Sequence, residues 1–199
     1  MMNMNKEINS YYETLRWLTQ NIAVMDKEGK DVDLKLGFQK AIGLITACGK
    51  RGKKMIFIGN GASASIASHM AADFWKNSKI RATAFNDAAL LTCISNDFGY
   101  SQVFERPIEM FANPGDILVA ISSSGKSENI IKGTRMALSK GCKVISLSGF
   151  KKNNVLHSLG DINFYVPSSS YGQVEVVHHS ICHCMLDTIV SGLGKGRLK

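Results

Sequence analysis

Short apolar runs alternate with amphipathic stretches along this chain from residue 55 onward. Four runs have the length and composition of buried strands, at 55–59, 117–122, 143–149 and 162–167. The spacing of apolar positions predicts helices between and after them, at 63–76, 87–95, 127–140 and 171–193. RATAF at 81–85 is a further candidate strand. This alternation predicts a parallel sheet covered by helices on both faces.

The first fifty residues have a different pattern of apolar positions, which predicts two helices. Apolar side chains recur at helical spacing at Tyr12, Leu15, Leu18 and Ile22, and again at Leu34, Phe38, Ile42, Ile45 and Cys48. The chain shows no internal repeat and no low-complexity linker. We therefore expect one domain over 1–199, with N-terminal helices in 1–52 and an α/β core in 53–193.

Composition and charge narrow the classes of function. A length of 199 residues suits one domain, and 45% hydrophobic with 20% charged residues is ordinary for a globular protein. The net charge of +8 favours anionic partners, but no basic run is interleaved with aromatics, which disfavours nucleic acid. Without a secretory signal, a membrane span or a CxxC pair, the sequence predicts a cytoplasmic protein with reduced thiols and no membrane partner.

The strongest chemical motif follows the strand at 117–122. In a parallel sheet, ligands bind beyond the carboxyl ends of the strands. SSSGKSEN at 122–129 places hydroxyls, backbone N–H groups and a helix N-terminus there, which together suit a phosphate. An ordinary N-cap at Ser127 would explain only part of this pattern. The GKS ending resembles a nucleotide P-loop, but Ala120 stands where that motif needs its first glycine.

The turn after the first buried strand is also glycine-rich. GNGASA at 59–64 fits the loose dinucleotide pattern G-x-G-x-x-A, yet positions 77–82 lack the acidic residue that would hold a ribose. We therefore expect this turn to bring backbone close to a polar substrate, with Asn60 and Ser63 as donors. Asn96 and Asp97, which end a helical stretch, either form a plain helix stop or bind sugar hydroxyls.

Two predicted helices concentrate the histidines. His69 and Asp73 are four apart and share a face, which is common for a simple surface hydrogen bond. Glu175, His179 and His183 repeat the spacing of four on the last helix. This concentration of imidazole and carboxylate groups indicates either a metal site or acid–base chemistry.

Taken in order, these segments resemble the phosphoheptose isomerases of the SIS (sugar isomerase) family. The resemblance rests on GNGASASIASHMAADF, CISNDFGYSQVFERP, GDILVAISSSGKSENIIKG, KGCKVISLSG and the late histidine-bearing helix. It implies a flavodoxin-like, doubly wound parallel sheet of five strands with an N-terminal helical extension. It also implies a homotetramer with active sites at subunit interfaces, in which the N-terminal helices take part in packing or oligomerisation.

The resemblance further implies conversion of sedoheptulose 7-phosphate to D-glycero-D-manno-heptose 7-phosphate, for lipopolysaccharide or capsule biosynthesis. It gives the substrate-binding residues as Asn60, Gly61, Ala62, Ser63, Asn96, Asp97, Ser122, Ser123, Ser124, Ser127 and Glu175. It gives the ligands of one zinc or other divalent ion per subunit as His69, Asp73, Glu175 and His183.

The catalytic pair implied is Asp73 and His183, acting through an enediol. The family has glutamate where Asp73 stands and glutamine where Glu175 stands, so the base is Asp73 or Glu175. His179 shares the face of the last helix and could supplement the metal site. Alternatives are an isomerase of another phosphosugar, or a non-catalytic sugar-phosphate-binding or replication-initiator adaptor protein. The presence of both His69 and His183 favours an enzyme over a non-catalytic binding or adaptor protein.

Overall fold

The computed structural model describes residues 4–193, which form one layered α/β structure. Its helices are α1 Met4–Gln20, α2 Leu34–Lys50, α3 Ala62–Asp73, α4 Ala88–Phe98, α5 Glu105–Phe111, α6 Glu128–Ser139 and α7 Tyr171–Gly192. Its strands are β1 Ala23–Asp26, β2 Asp31–Val32, β3 Met55–Gly59, β4 Ala82–Ala84, β5 Ile117–Ser122, β6 Lys143–Ser148 and β7 Ile162–Tyr165. The predicted strands and helices of the core are confirmed, including the weak candidate at 81–85.

One sheet holds all seven strands in the order β2-β1-β7-β6-β5-β3-β4. Five of them are parallel, and in chain order these five lie 2-1-3-4-5, which is the flavodoxin-like arrangement. The chain leaves β3 to form β4 on one side and returns to form β5 on the other. The carboxyl ends of β3 and β5 therefore flank the topological switch point, where such sheets open a crevice.

A hairpin that the sequence did not predict extends this sheet from five strands to seven. β1 pairs antiparallel with both β2 and β7, so the N-terminal extension is a helix, a hairpin and a second helix. The Asp26 carboxylate accepts the backbone N–H groups of Glu28 and Lys30, and Gly29 takes a positive φ of 78° in the turn. Strands of four and two residues carry too little periodicity to be recognised without their partner β7.

The core lies on both faces of the sheet, as a doubly wound fold requires. β3 and β5 are buried along their whole length, so their side chains alternate between the two faces. Phe57 and Val119 point into a cluster with α2, α3 and α7, whereas Ile58 and Ala120 point into a cluster with α4, α5 and α6. Both central strands are thereby fixed, which holds the loops at their ends in place.

The first helix contributes little to this core. Within α1 only Leu18 is buried, while Met4, Ile8 and Tyr12 lie four residues apart on one exposed stripe and Trp17 is 52% exposed. Among residues 4–193 no helix is long and apolar enough to cross a membrane. The basic segment 195–199 lies outside the described residues.

Candidate functional site

A cleft of about 250 Å³ opens at the switch point between β3 and β5. It is lined by Asn60, Gly61, Ala62, Ser63, Ile121, Ser122, Ser123, Ser124, Ser127, Tyr171 and Glu175. Nine of these eleven were named from the sequence as substrate-binding residues. The fold thus brings the turn after β3, the serine loop after β5 and the start of α7 together around one space.

The serine loop has the geometry of an anion cradle rather than of a simple helix cap. Ser127 is the N-cap of α6, yet its hydroxyl accepts no hydrogen bond from the first turn of that helix. Instead the hydroxyl of Ser122 lies 3.4 Å from that of Ser127, and both line the cleft. The N-termini of α3 and α6 flank the same space, and each carries about half a positive charge. A phosphate group fits hydroxyls and helix ends of this kind.

Close backbone packing fixes the position of the other cleft wall. A Cβ at Gly59 would lie 2.5 Å from the backbone carbonyl of Ser63, so no side chain fits there. Gly61 then begins α3 with φ at +55°, a conformation that L side chains rarely adopt. These two glycines let the chain turn sharply from β3 into α3. The turn directs the first residues of α3 into the cleft.

Asn60 is held by two residues that the sequence did not identify as part of the site. Its amide makes a reciprocal pair with the amide of Asn129, with N···O distances of 2.9 and 2.8 Å. The Tyr100 hydroxyl also donates to the Asn60 oxygen at 3.1 Å. Asn129 is buried, so Asn60 is oriented before any ligand arrives. Neither partner stands near Asn60 in the chain, and only the fold reveals the network.

Asn96 and Asp97 are not among the residues that line this cleft. Both are exposed at the end of α4, where the Asn96 amide donates to the Asp97 carboxylate at 2.9 Å and the Cys93 thiol lies 3.6 Å from it. Tyr100, three residues after Asp97, does contact a cleft residue, since its hydroxyl donates to Asn60. Their role in binding sugar hydroxyls stays a prediction.

The histidines of α3 and α7 meet where the two helices pack. The side chains of His69, His179 and His183 offer nitrogens that all lie within 4.8 Å of one another. Ring centroids are 4.6 Å apart for His179 and His183, and 5.2 Å apart for His69 and His179. Asp73 adjoins the cluster, with its carboxylate 3.4 Å from His69 Nε2. The sequence prediction that His69 and His183 come together is met, and His179 joins them.

Glu175 lies at the start of α7, among the residues that line the cleft. It is half-buried and does not belong to the three-histidine group. Tyr171, one turn earlier, also lines the cleft, and its ring meets that of Phe150 edge-on at 4.7 Å. One face of α7 therefore carries a carboxylate at the cleft and imidazoles further along.

Burial separates the roles of the α7 histidines. His178 is fully buried, desolvation lowers its pKa to about 4, and its Nε2–H donates to the Ser148 carbonyl at 3.1 Å. It therefore anchors α7 to the end of β6 as a neutral side chain. The pKa of His179 is lowered first by burial and then by His183 and His69, while Asp73 opposes the change. A neutral imidazole is the form that binds a metal.

The donor set of this region fits a divalent metal. Imidazole nitrogen with nearby carboxylate oxygen suits zinc and similar ions. His179 Nε2 is buried and lacks a hydrogen-bond partner among the described residues, so a ligand would satisfy it. Glu175, which lines the cleft, lies one helical turn before His179 of the cluster.

Comparison with known proteins places this architecture in a family. The model for the SIS domain matches residues 19–149. A phosphoheptose isomerase of Shewanella denitrificans is 36% identical over 159 residues, which cover 76% of this chain and 81% of the relative. That of Syntrophotalea carbinolica is 31% identical over 189 residues, covering 92% and 91%.

Solved structures agree with these relatives. A phosphoheptose isomerase from Francisella tularensis superposes with a TM-score of 0.82 at 30% identity, covering 96% of this chain and all of that one. The phosphoheptose isomerase of Neisseria gonorrhoeae gives 0.80 at 26% identity, with 94% and 99% covered. The similarity therefore extends over nearly the whole chain.

Proposed function

This chain belongs to the phosphoheptose isomerases of the SIS domain family, and we propose that it converts sedoheptulose 7-phosphate to D-glycero-D-manno-heptose 7-phosphate. It is a ketose–aldose isomerase of sugar phosphates. The observation that carries this function is the cleft lined by the serine loop, the turn after β3 and Glu175, together with the histidine cluster where α3 and α7 pack. A non-catalytic binding or adaptor role is not favoured, because relatives matching most of the chain are named as isomerases.

The phosphate binds in the serine loop. Ser122, Ser123, Ser124 and Ser127 line the cleft beside the N-terminus of α6. The turn at 60–63 lies opposite, where Asn60 and the backbone contact the sugar. Binding at the phosphate, remote from the reacting carbons, supplies energy that positions those carbons. The assignment of Asn96 and Asp97 to sugar hydroxyls rests on the family resemblance alone.

The reaction moves one proton between neighbouring carbons. A carboxylate, Asp73 or Glu175, takes the proton from the carbon next to the carbonyl, which leaves an enediol once the carbonyl oxygen is protonated. His183 exchanges the proton between the two oxygens, and the carboxylate returns its proton to the former carbonyl carbon. No oxidant or reductant is needed, because the electrons shift within the substrate.

A divalent ion, zinc or another, fits this region, one per subunit. His69, Asp73 and His183 would hold it together with a fourth residue of α7. The resemblance gives that fourth ligand to Glu175, whereas the imidazole of His179 lies within the described cluster. When bound, such an ion polarises a carbonyl oxygen.

The family resemblance extends to assembly and cellular role. A homotetramer would cover the exposed apolar stripe of α1, in which Met4, Ile8 and Tyr12 face away from the core. The N-terminal segment 1–52 would then serve oligomerisation as well as packing. We also propose that the protein is cytoplasmic and that its product supplies heptose for surface polysaccharide.

The direct test is turnover of sedoheptulose 7-phosphate by the purified protein, with the product identified by NMR. We expect the aldose phosphate to form, and Asp73→Asn or His183→Gln to lower kcat by about a hundredfold or more. Ser127→Ala should raise KM, while Ser139→Ala, an exposed serine outside the cleft, should not. Full activity in both the Asp73 and His183 variants would show that these roles are wrongly assigned.

A further inference from the structure

We propose that α7 binds the metal through His179 and His183, so that three imidazoles hold the ion and Glu175 stays free to face the substrate. The proposal rests on the proposed function only in expecting a divalent ion at this place. It departs from the ligand set that the resemblance implies, since Glu175 is replaced by a residue one helical turn further along.

Distances within the cluster carry this assignment. Nitrogens of His69, His179 and His183 lie within 4.8 Å of one another. Two nitrogens bound to a tetrahedral zinc, each about 2.0–2.1 Å from the ion, lie about 3.4 Å apart. Separations of at most 4.8 Å therefore need to shorten by no more than about 1.4 Å to reach this geometry. The three-histidine group, found among residues 4–193, includes neither Glu175 nor any other acid.

Helix geometry favours the same pair. Residues four apart on an α-helix are separated by about 6 Å along the axis and share a face, so two histidines at this spacing readily bind one ion. His179 and His183 have this spacing. Glu175 lies eight residues before His183, about 12 Å along the axis, at the end of α7 that borders the phosphate cleft.

An unsatisfied atom provides separate evidence. His179 Nε2 is buried, and no hydrogen bond reaches it from the described part of the chain. Leaving such a nitrogen unpaired is unfavourable, because it has lost its contact with water and gained no partner. Coordination removes this cost, and neither the substrate chemistry nor the core packing otherwise accounts for a third histidine here.

Three imidazoles with one carboxylate also suit the chemistry better than two imidazoles with two carboxylates. The ion then keeps more of its positive charge, which strengthens its pull on a carbonyl oxygen. Glu175, released from the metal, lies beside Asn60 and the serine loop, where it can accept the proton from the reacting carbon.

The test measures metal affinity of the purified full-length protein, with Zn²⁺ competed against a chelating dye and without substrate. We expect His179→Gln to weaken binding at least about a hundredfold, while Glu175→Gln and the exposed-surface control Ser180→Ala change it by about threefold or less. A loss of Zn²⁺ affinity in Glu175→Gln that equals or exceeds the loss in His179→Gln would overturn the proposal. So would a wild-type protein that binds no stoichiometric Zn²⁺.

A second variant guards against a His179→Gln protein that fails to fold. His179→Cys, loaded with Co²⁺ under anaerobic conditions, should show a thiolate-to-cobalt charge-transfer band in the near ultraviolet that the wild-type protein lacks. Absence of the band in a folded, Co²⁺-loaded variant would also overturn the assignment. Because no substrate is present, loss of isomerase activity has no bearing on either readout, and the two proposals fail independently.

Discussion

Replacing Gly125 with alanine tests how tightly the phosphate loop is built. Gly125 has a φ of +61°, and a Cβ there would lie 1.9 Å from Oδ1 and 2.2 Å from Cγ of Asn154. Asn154 cannot simply move aside, because it is buried and its amide donates to the Ser148 hydroxyl at 3.1 Å and the Lys151 carbonyl at 2.8 Å. Its Oδ1 also accepts the backbone N–H of His157 at 2.9 Å.

The expected decrease in stability of Gly125→Ala follows from these contacts. Holding alanine in the left-handed region costs about 1–2 kcal/mol. Displacing Asn154 breaks two buried hydrogen bonds at about 1–1.5 kcal/mol each, so the free energy of unfolding should fall by about 3–5 kcal/mol in total. For a domain of this size, this loss corresponds to a decrease in Tm of about 10 °C.

The same substitution should weaken substrate binding. Gly125 N–H donates to the Ser122 carbonyl at 3.0 Å, and its own carbonyl accepts the Leu156 N–H at 3.1 Å. A shift of this residue therefore moves the serine hydroxyls, and we expect KM for sedoheptulose 7-phosphate to rise about tenfold, equivalent to about 1.4 kcal/mol.

Urea denaturation and steady-state kinetics measure both effects. Gly43→Ala is the matched control, because a Cβ at Gly43 in α2 meets nothing within 4 Å. That change should increase stability by about 0.5–1 kcal/mol, since alanine is the better helix former, and leave KM unchanged. A Gly125→Ala protein as stable as the wild type, with unaltered KM, would refute the reasoning.

Three further variants test other parts of the structure. His157 is buried with neither ring nitrogen hydrogen-bonded among the described residues, and burial, followed by a nearby lysine charge, lowers its pKa from 6.5. As the pH decreases below about 6.5, the unfolded chain binds the proton before the folded protein does, so the free energy of unfolding decreases. His157→Phe should make this decrease smaller between about pH 7.5 and 5.5, as measured by urea denaturation. An unchanged dependence of stability on pH would contradict this reasoning. Asp116→Ala leaves the half-buried Lys54 without its carboxylate and should cost about 3–5 kcal/mol. Because Asp116 precedes β5, at the sheet end opposite the cleft, KM should stay the same, and a raised KM would show that the two ends are coupled. Asn129→Ala removes the amide pair that orients Asn60 and should raise KM about tenfold, by about 1.4 kcal/mol; unaltered KM would mean that Asn60 needs no such support.

The parallel core could be predicted from the sequence because its signals are local. Each central strand is buried on both faces, so it forms an uninterrupted apolar run such as Ile117–Ser122 that stands out from its polar flanks. The serine loop is equally local, since hydroxyls, glycine and the start of α6 are consecutive in the chain. Nine of the eleven residues that line the cleft were therefore named from the sequence, and the spacing of four marked the two helices whose imidazoles meet.

Only the tertiary structure decided which distant side chains meet. The hairpin β1–β2 exists as strands because β7 offers an open edge, and four- and two-residue segments carry no such signal alone. The same holds for Asn129 and Tyr100, which reach Asn60 across 69 and 40 residues of chain. His179 joins His69 because α3 and α7 pack side by side on the same face of the sheet. The local sequence pattern determines which secondary structure each segment can form, whereas packing of the sheet and helices determines the partners of each side chain.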